Sequence, residues 1–152
     1  MRVWKIAPGL YQSPTPRSPQ DVTFEDQDGH LVDISAIVDL EGDIDPDVPQ
    51  REIGRVYLYW PIEDIDRLPD ETTLRSVARF VGGLIDGGHR VLIHCRAGLN
   101  RASLLSGLAL VERGMEPQEA VDLLRDRRDP TVLKNKTFLA WLLQQEPQPS
   151  RA

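Results

Sequence analysis

Arg90-Val-Leu-Ile-His-Cys-Arg-Ala-Gly-Leu-Asn-Arg101 decides the reading of this chain, because a strand-like run passes through a short loop into a helix. Arg90 to His94 is a branched aliphatic run of the kind that forms a buried strand. From about Arg101 to Arg113 the apolar residues Leu104, Leu105, Leu108 and Val111 recur at helical spacing, with Gly114 just past the end. The intervening loop carries Cys95 at its start and Arg101 at its finish, with Gly98 between them.

Working outward, Thr73 to Asp86 repeats Leu74, Val77, Ala78, Val81, Leu84 and Ile85 at three- and four-residue steps and stops at Gly87-Gly88, which predicts an amphipathic helix feeding the strand. Ala36 to Leu40 and Arg55 to Tyr59 read as two further strands. A third helix starts near Pro117, and Thr137 to Gln145 makes a fourth with Phe138, Trp141 and Leu142 inward. Ser13 to Pro19 and Glu41 to Pro49 are punctuated by proline and read as loop, the second as an exposed acidic connection. Strands early, helices late and a strand-helix-strand crossover over residues 55–94 imply an α/β fold, a central partly parallel sheet flanked by helices. The Cys95 loop then lies at the carboxyl end of a central strand, where such sheets bind ligands.

The 152 residues suit one domain, expected to span 1–145, with a disordered tail over 146–152. Eighteen basic residues against twenty-four acidic ones give a net charge of −6, which disfavours general nucleic-acid binding. A lone cysteine excludes an internal disulfide and multi-cysteine metal sites. No apolar run approaches the roughly 20 residues that cross a bilayer, and the start lacks a secretory pattern, so a cytoplasmic protein is expected.

The loop has a definite chemistry. A helix amino terminus offers unpaired backbone N–H groups and partial positive charge, which suits a phosphate dianion and favours the thiolate form of a cysteine placed beneath it. Arg101 can fork two N–H bonds onto phosphate oxygens and offset charge that spreads over them. Gly98 permits the tight turn. These parts fit phosphoryl transfer to sulfur, followed by attack of water on a cysteinyl phosphate. The bland reading, a buried inert cysteine near an arginine, does not account for both residues sharing one strand-to-helix loop.

His94 to Arg101 resembles the His-Cys-x-x-Gly-x-x-Arg loop of the cysteine-based protein phosphatases, and the compact length resembles their dual-specificity branch. The likeness runs from Val56 to about Leu143 and, more weakly, from Gly9 to Leu40. It implies Cys95 as nucleophile, Arg101 as phosphate clamp, and the backbone N–H groups of Arg96, Ala97, Gly98, Leu99, Asn100 and Arg101 as the cradle. It also implies a supporting role for His94. Asn100 either braces the loop or caps the helix, and Arg96 either meets substrate or is a solvated charge. The family usually carries serine or threonine directly after the arginine, whereas this chain has Ala102 and then Ser103, whose hydroxyl points about 100° away on a helix. Slow breakdown of the phosphoenzyme is the expected consequence.

A departing alkoxide needs a proton, and Trp60-Pro-Ile-Glu-Asp-Ile-Asp66 follows the strand ending at Tyr59, at the same sheet end as the Cys95 loop if the two strands are parallel neighbours. The Pro-x-x-Asp pattern resembles the family's general-acid loop and implies Asp64 as the acid, with Asp66 the second choice and Glu63 the third. Arg125 to Asp129 is either a basic lip or a solvated helix end. Trp4, Trp60 and Trp141 read as packing anchors, and His30 and His89 as lacking partners at metal-ligand spacing. The expected function is a monomeric phosphomonoester hydrolase that needs no metal or cofactor and acts on phosphotyrosine, phosphoserine or phosphothreonine in proteins. Phosphoinositide or RNA 5′-phosphate hydrolysis, a rhodanese-like sulfurtransferase and a noncatalytic phosphoprotein-binding module are the alternatives.

Overall fold

The computed structural model describes residues 1–16, 23–42 and 54–149. Its strands are β1 (Trp4–Ala7), β2 (Leu10–Pro14), β3 (Phe24–Glu25), β4 (Leu31–Val32), β5 (Ala36–Asp39), β6 (Val56–Tyr59) and β7 (Val91–Cys95). The helices are α1 (Glu71–Asp86), α2 (Arg101–Glu112), α3 (Pro117–Arg127) and α4 (Lys136–Leu143). Five strands form one sheet in the order β1-β2-β7-β5-β6, with β1 antiparallel to β2 and the other pairings parallel.

β7 is the middle strand, paired with β2 from Leu10↔Val91 to Pro14↔Cys95 and with β5 from Ala36↔Val91 to Asp39↔His94. A strand covered on both faces should be apolar almost throughout, as Val91, Leu92 and Ile93 are, all wholly buried. Alternation divides its side chains. Val91, Ile93 and Cys95 join the large core under the helices, while Leu92 packs with Val3, Tyr11, Phe24, Ile34 and Ile37 on the other face. The small antiparallel pair β3-β4 contributes Phe24 to that second core.

α2 is buried from Ala102 through Val111, so it is a central helix rather than one with the single apolar face the spacing suggested. Its close neighbour is α4: a Cβ at Gly107 would come within 2.6 Å of Leu142. α1 begins two residues before the expected Thr73, because Asp70 caps it by accepting from the Thr73 backbone N–H (2.9 Å) and hydroxyl (2.7 Å).

Three expectations fail here. Ser13 and Pro14 are not loop but the end of β2, pairing with His94 and Cys95, and Thr15 N–H donates to Arg96 C=O; residues 17–19 lie outside the described residues. Glu41 is not part of an exposed connection but is buried, with Asp43 to Pro49 outside the described residues. His30 does have carboxylate neighbours, since Asp26, Asp28 and His30 each offer a ligand atom within 4.8 Å of the others. Of the segment expected to be tail, Gln148 N–H donates to Val111 C=O at 3.1 Å.

Candidate active site

β7 delivers Cys95 to the base of the loop with 2% of its surface exposed, and the first turn of α2 meets it: Ala102 N–H donates to Cys95 Sγ at 3.4 Å. The orientation of the loop follows from where its carbonyls go. Arg96 C=O accepts from Thr15 N–H (3.3 Å), Ala97 C=O from Arg128 Nη2 (2.9 Å), Leu99 C=O from Leu133 N–H (3.2 Å) and Asn100 C=O from Leu104 N–H (2.9 Å). In a planar peptide the next N–H points opposite to the carbonyl. Four outward carbonyls therefore turn the N–H groups of Ala97, Gly98, Asn100 and Arg101 toward the other side of the loop, and none of them has an acceptor among the described residues. Such a ring of convergent donors binds an oxyanion.

Gly98 is required twice over. Its φ of 69° lies in the left-handed region, and a Cβ there would meet Ser13 O at 2.6 Å, where the loop presses on the end of β2.

Arg101 is held from both sides, with Nη1 donating to Ile62 C=O at 3.0 Å and Nη2 to Glu41 Oε2 at 3.2 Å. Its Nε is buried and has no acceptor among the described residues, which leaves a donor for a ligand. Glu41 was missed by sequence reasoning, hidden in an acidic run. Burial pushes its carboxyl up, but the Gly42 N–H and the Arg101 and Arg96 charges outweigh this and hold it below the usual glutamate range. Arg96 reaches the same carboxylate at 3.6 Å with 80% of its side chain exposed, so it is both paired and solvent-facing.

His94, pointing to the opposite sheet face from Cys95, lies wholly buried with Nδ1 at 3.7 Å from Asp39 Oδ1. Asp39 also accepts from Tyr57 OH (2.5 Å) and from Glu41 N–H (2.9 Å), linking the strand ends beneath the loop. Ser103 does not replace the absent hydroxyl after Arg101: it turns into the core, 3.4 Å from Gln12 Oε1, while Gln12 Nε2 donates to Ser106 Oγ.

The segment after β6 comes to the same end of the sheet, although β5 separates β6 from β7. Asp64 Oδ2 accepts from Asn100 Nδ2 at 2.9 Å and Oδ1 from Asn135 Nδ2 at 2.8 Å. Asn100 is thus a brace and makes no side-chain cap to α2, while its Oδ1 accepts from Asn135 N–H. Glu63 and Asp66 form no hydrogen bond among the described residues, and Asp66 lines a cavity of about 560 Å³ with Asp64, Asn100, Lys134, Asn135 and Lys136. The Arg125–Asp129 run is neither lip nor solvated end throughout, because Arg125 Nε donates to Val132 C=O and Arg128 to Ala97 C=O. A groove of about 480 Å³ beside α1 and α2 holds charges matched to each other, Asp86 with Arg113 and Glu112 with Arg79.

A mixed sheet delivers one thiol beneath a loop whose free N–H groups face away from its tethered carbonyls, with the Arg101 guanidinium held by Glu41 and Asp64 held by Asn100 at the same end, an arrangement suited to an oxyanion. The chain belongs to the family described as dual specificity phosphatase, catalytic domain, which matches residues 22–148. Protein tyrosine phosphatase type IVA 3 of Mus musculus is 30% identical over 104 residues, covering 66% of this chain and 57% of that protein. Dual specificity protein phosphatase 2, also of Mus musculus, is 29% identical over 93 residues, 60% of this chain and 29% of that one. The chain therefore matches little more than half the length of the first relative and under a third of the second. Among solved structures, a mouse dual specificity phosphatase superposes with a TM-score of 0.71 at 20% identity, over 92% of this chain and 83% of its own. A human tyrosine phosphatase-like serine/threonine/tyrosine-interacting protein gives 0.70 at 20% identity, over 93% of each chain. No helix among the described residues is long and apolar enough to cross a membrane.

Proposed function

We propose that this protein is a phosphatase that hydrolyses phosphomonoesters on proteins through a cysteinyl-phosphate intermediate. The observation that carries the reading is the outward tethering of the loop carbonyls around Cys95, which leaves the opposite face of the loop made of N–H donors. Cys95 Sγ attacks phosphorus as the ester oxygen departs. The backbone donors and Arg101 hold the three equatorial oxygens, and their fixed placement lowers the barrier without reorganisation. Asp64 gives the departing oxygen its proton, then takes one from the water that attacks the S–P bond, releasing phosphate and restoring the thiolate. Nucleophile, charge compensation and acid are all side chains or backbone, so the scheme calls on no metal or cofactor. A reducing cytoplasmic setting and a monomeric state suit the single thiol.

One observation favours a second reading. With Ala102 wholly buried and the Ser103 hydroxyl turned toward Gln12, neither of the two residues after Arg101 places a hydroxyl on the sulfur to help it leave in the second step. A protein that captures phosphorylated partners and turns over slowly has this arrangement.

The test is release of phosphate from p-nitrophenyl phosphate over about pH 5–8 with chelator and reductant, followed by phosphopeptides, phosphoinositides and 5′-phosphorylated RNA. Cys95→Ser is expected to abolish turnover, a loss of at least about a thousandfold. Asp64→Asn is expected to slow alkyl phosphates by roughly 10²-fold or more and the aryl ester much less, because a good leaving group needs little proton help. Equal losses on both esters remove Asp64 from the acid role. Binding of phosphopeptide without release by the native chain favours the capture reading.

A further inference from the structure

Of the four tethers that turn the loop carbonyls outward, three are backbone N–H groups of β2's end, α2 and the segment before α4, fixed by the fold itself. The fourth is a side chain, Arg128 Nη2 on Ala97 C=O at 2.9 Å. The peptide it holds is the one most able to rotate, since Ala97 C=O and Gly98 N–H share a plane and glycine tolerates either orientation. Arg128 is itself immobilised. Its guanidinium lies 3.9 Å from the centroid of the Trp4 ring, and its Nε is buried with no acceptor among the described residues. A flat, delocalised cation can stack and donate in this way, whereas an ammonium cannot do both.

We propose that Arg128, clamped on the face of Trp4, is a positioning residue: it pins the Ala97–Gly98 peptide so that the Gly98 N–H faces the bound oxyanion. The charged groups around it agree with that task. Burial draws its guanidinium below the ordinary arginine range, while the charges of Asp129 and Cys95 act in the opposite direction. Arg96 and Arg101 pair with Glu41 on the other side, at 3.6 and 3.2 Å, whereas Arg128 forms no ion pair among the described residues and gives its Nη2 to the Ala97 carbonyl. This deepens the phosphatase reading and rests on it only for the identity of the anion.

The experiment measures tungstate binding to the full chain by calorimetry, together with the tungstate-induced shift of the Gly98 amide resonance. Neither readout requires turnover, so failure of the phosphatase reading and failure of this proposal are separable. Arg128→Met is expected to weaken tungstate about tenfold, the value of roughly one charge-assisted hydrogen bond, and to abolish the Gly98 shift. Arg128→Lys is expected to recover part of the affinity. Trp4→Leu, which loosens the clamp and leaves Arg128 in place, is expected to give an intermediate loss and serves also if Arg128→Met does not fold. Unchanged tungstate affinity and an unchanged Gly98 shift in the folded variants overturn the proposal.

Discussion

Ala102 puts its backbone N–H on the Cys95 sulfur and its methyl in a fully closed space. Adding a single oxygen there supplies the hydroxyl that Ser103, one position on, carries into the core. Ala102→Ser is therefore expected to raise steady-state turnover several-fold and shrink the pre-steady-state burst, at a stability cost of about 1 kcal/mol for the newly buried hydroxyl. Rapid-quench kinetics with an aryl phosphate reads both quantities, and identical burst and steady-state rates in the variant and native chain contradict the assignment. Glu41 bears a pH signature. Its carboxyl is depressed in the folded chain from an ordinary value of 4.5, so its stabilising contribution is complete above that value and fades as acid drives the pH through the folded one. Glu41→Gln is expected to lower the melting temperature at neutral pH and to flatten its decline below about pH 4.5, as thermal scans across that range would reveal.

At the level of elements, the connection between α3 and α4 does more than join helices. Leu133, left-handed at φ 61° and 1% exposed, gives its N–H to the Leu99 carbonyl of the Cys95 loop, and two residues later Asn135 reaches Asp64 and Ile65 while capping α4 through Phe138 N–H. Asn135→Ala is expected to cost about 0.5–2 kcal/mol as a lost cap and, independently, to slow alkyl phosphate hydrolysis by freeing Asp64, the proposed acid. Denaturant melts and a leaving-group series separate the two. The sequence made the middle of this machinery readable because Cys95, Gly98 and Arg101 sit within one turn, and helical spacing located α1 and α2 to within two residues. It concealed Glu41, Asn135 and Arg128, whose neighbours are 60, 71 and 31 positions away. Only the sheet order and the return of the chain after α3 bring them in. β1 and β2 were equally hidden, since Gln12, Ser13 and Pro14 have no strand pattern and become strand by pairing with β7.

For the whole molecule, a net charge of −6 surrounds a loop approached by Arg96, Arg101 and Arg128, so the proposed anion site is a cluster of cations on a negative body. The first fourteen residues build this spot from outside the family-matched span, which starts at residue 22. β2 covers one side of β7, Ser13 is the floor under Gly98, and Trp4 is the surface on which Arg128 rests. A fragment trimmed to the matched span would lay bare the hydrogen-bonding flank of the most apolar strand in the molecule. That is the arrangement that recruits a foreign strand, so such a fragment would aggregate before its chemistry could be assayed, and an inactive preparation would report the cut and not the enzyme.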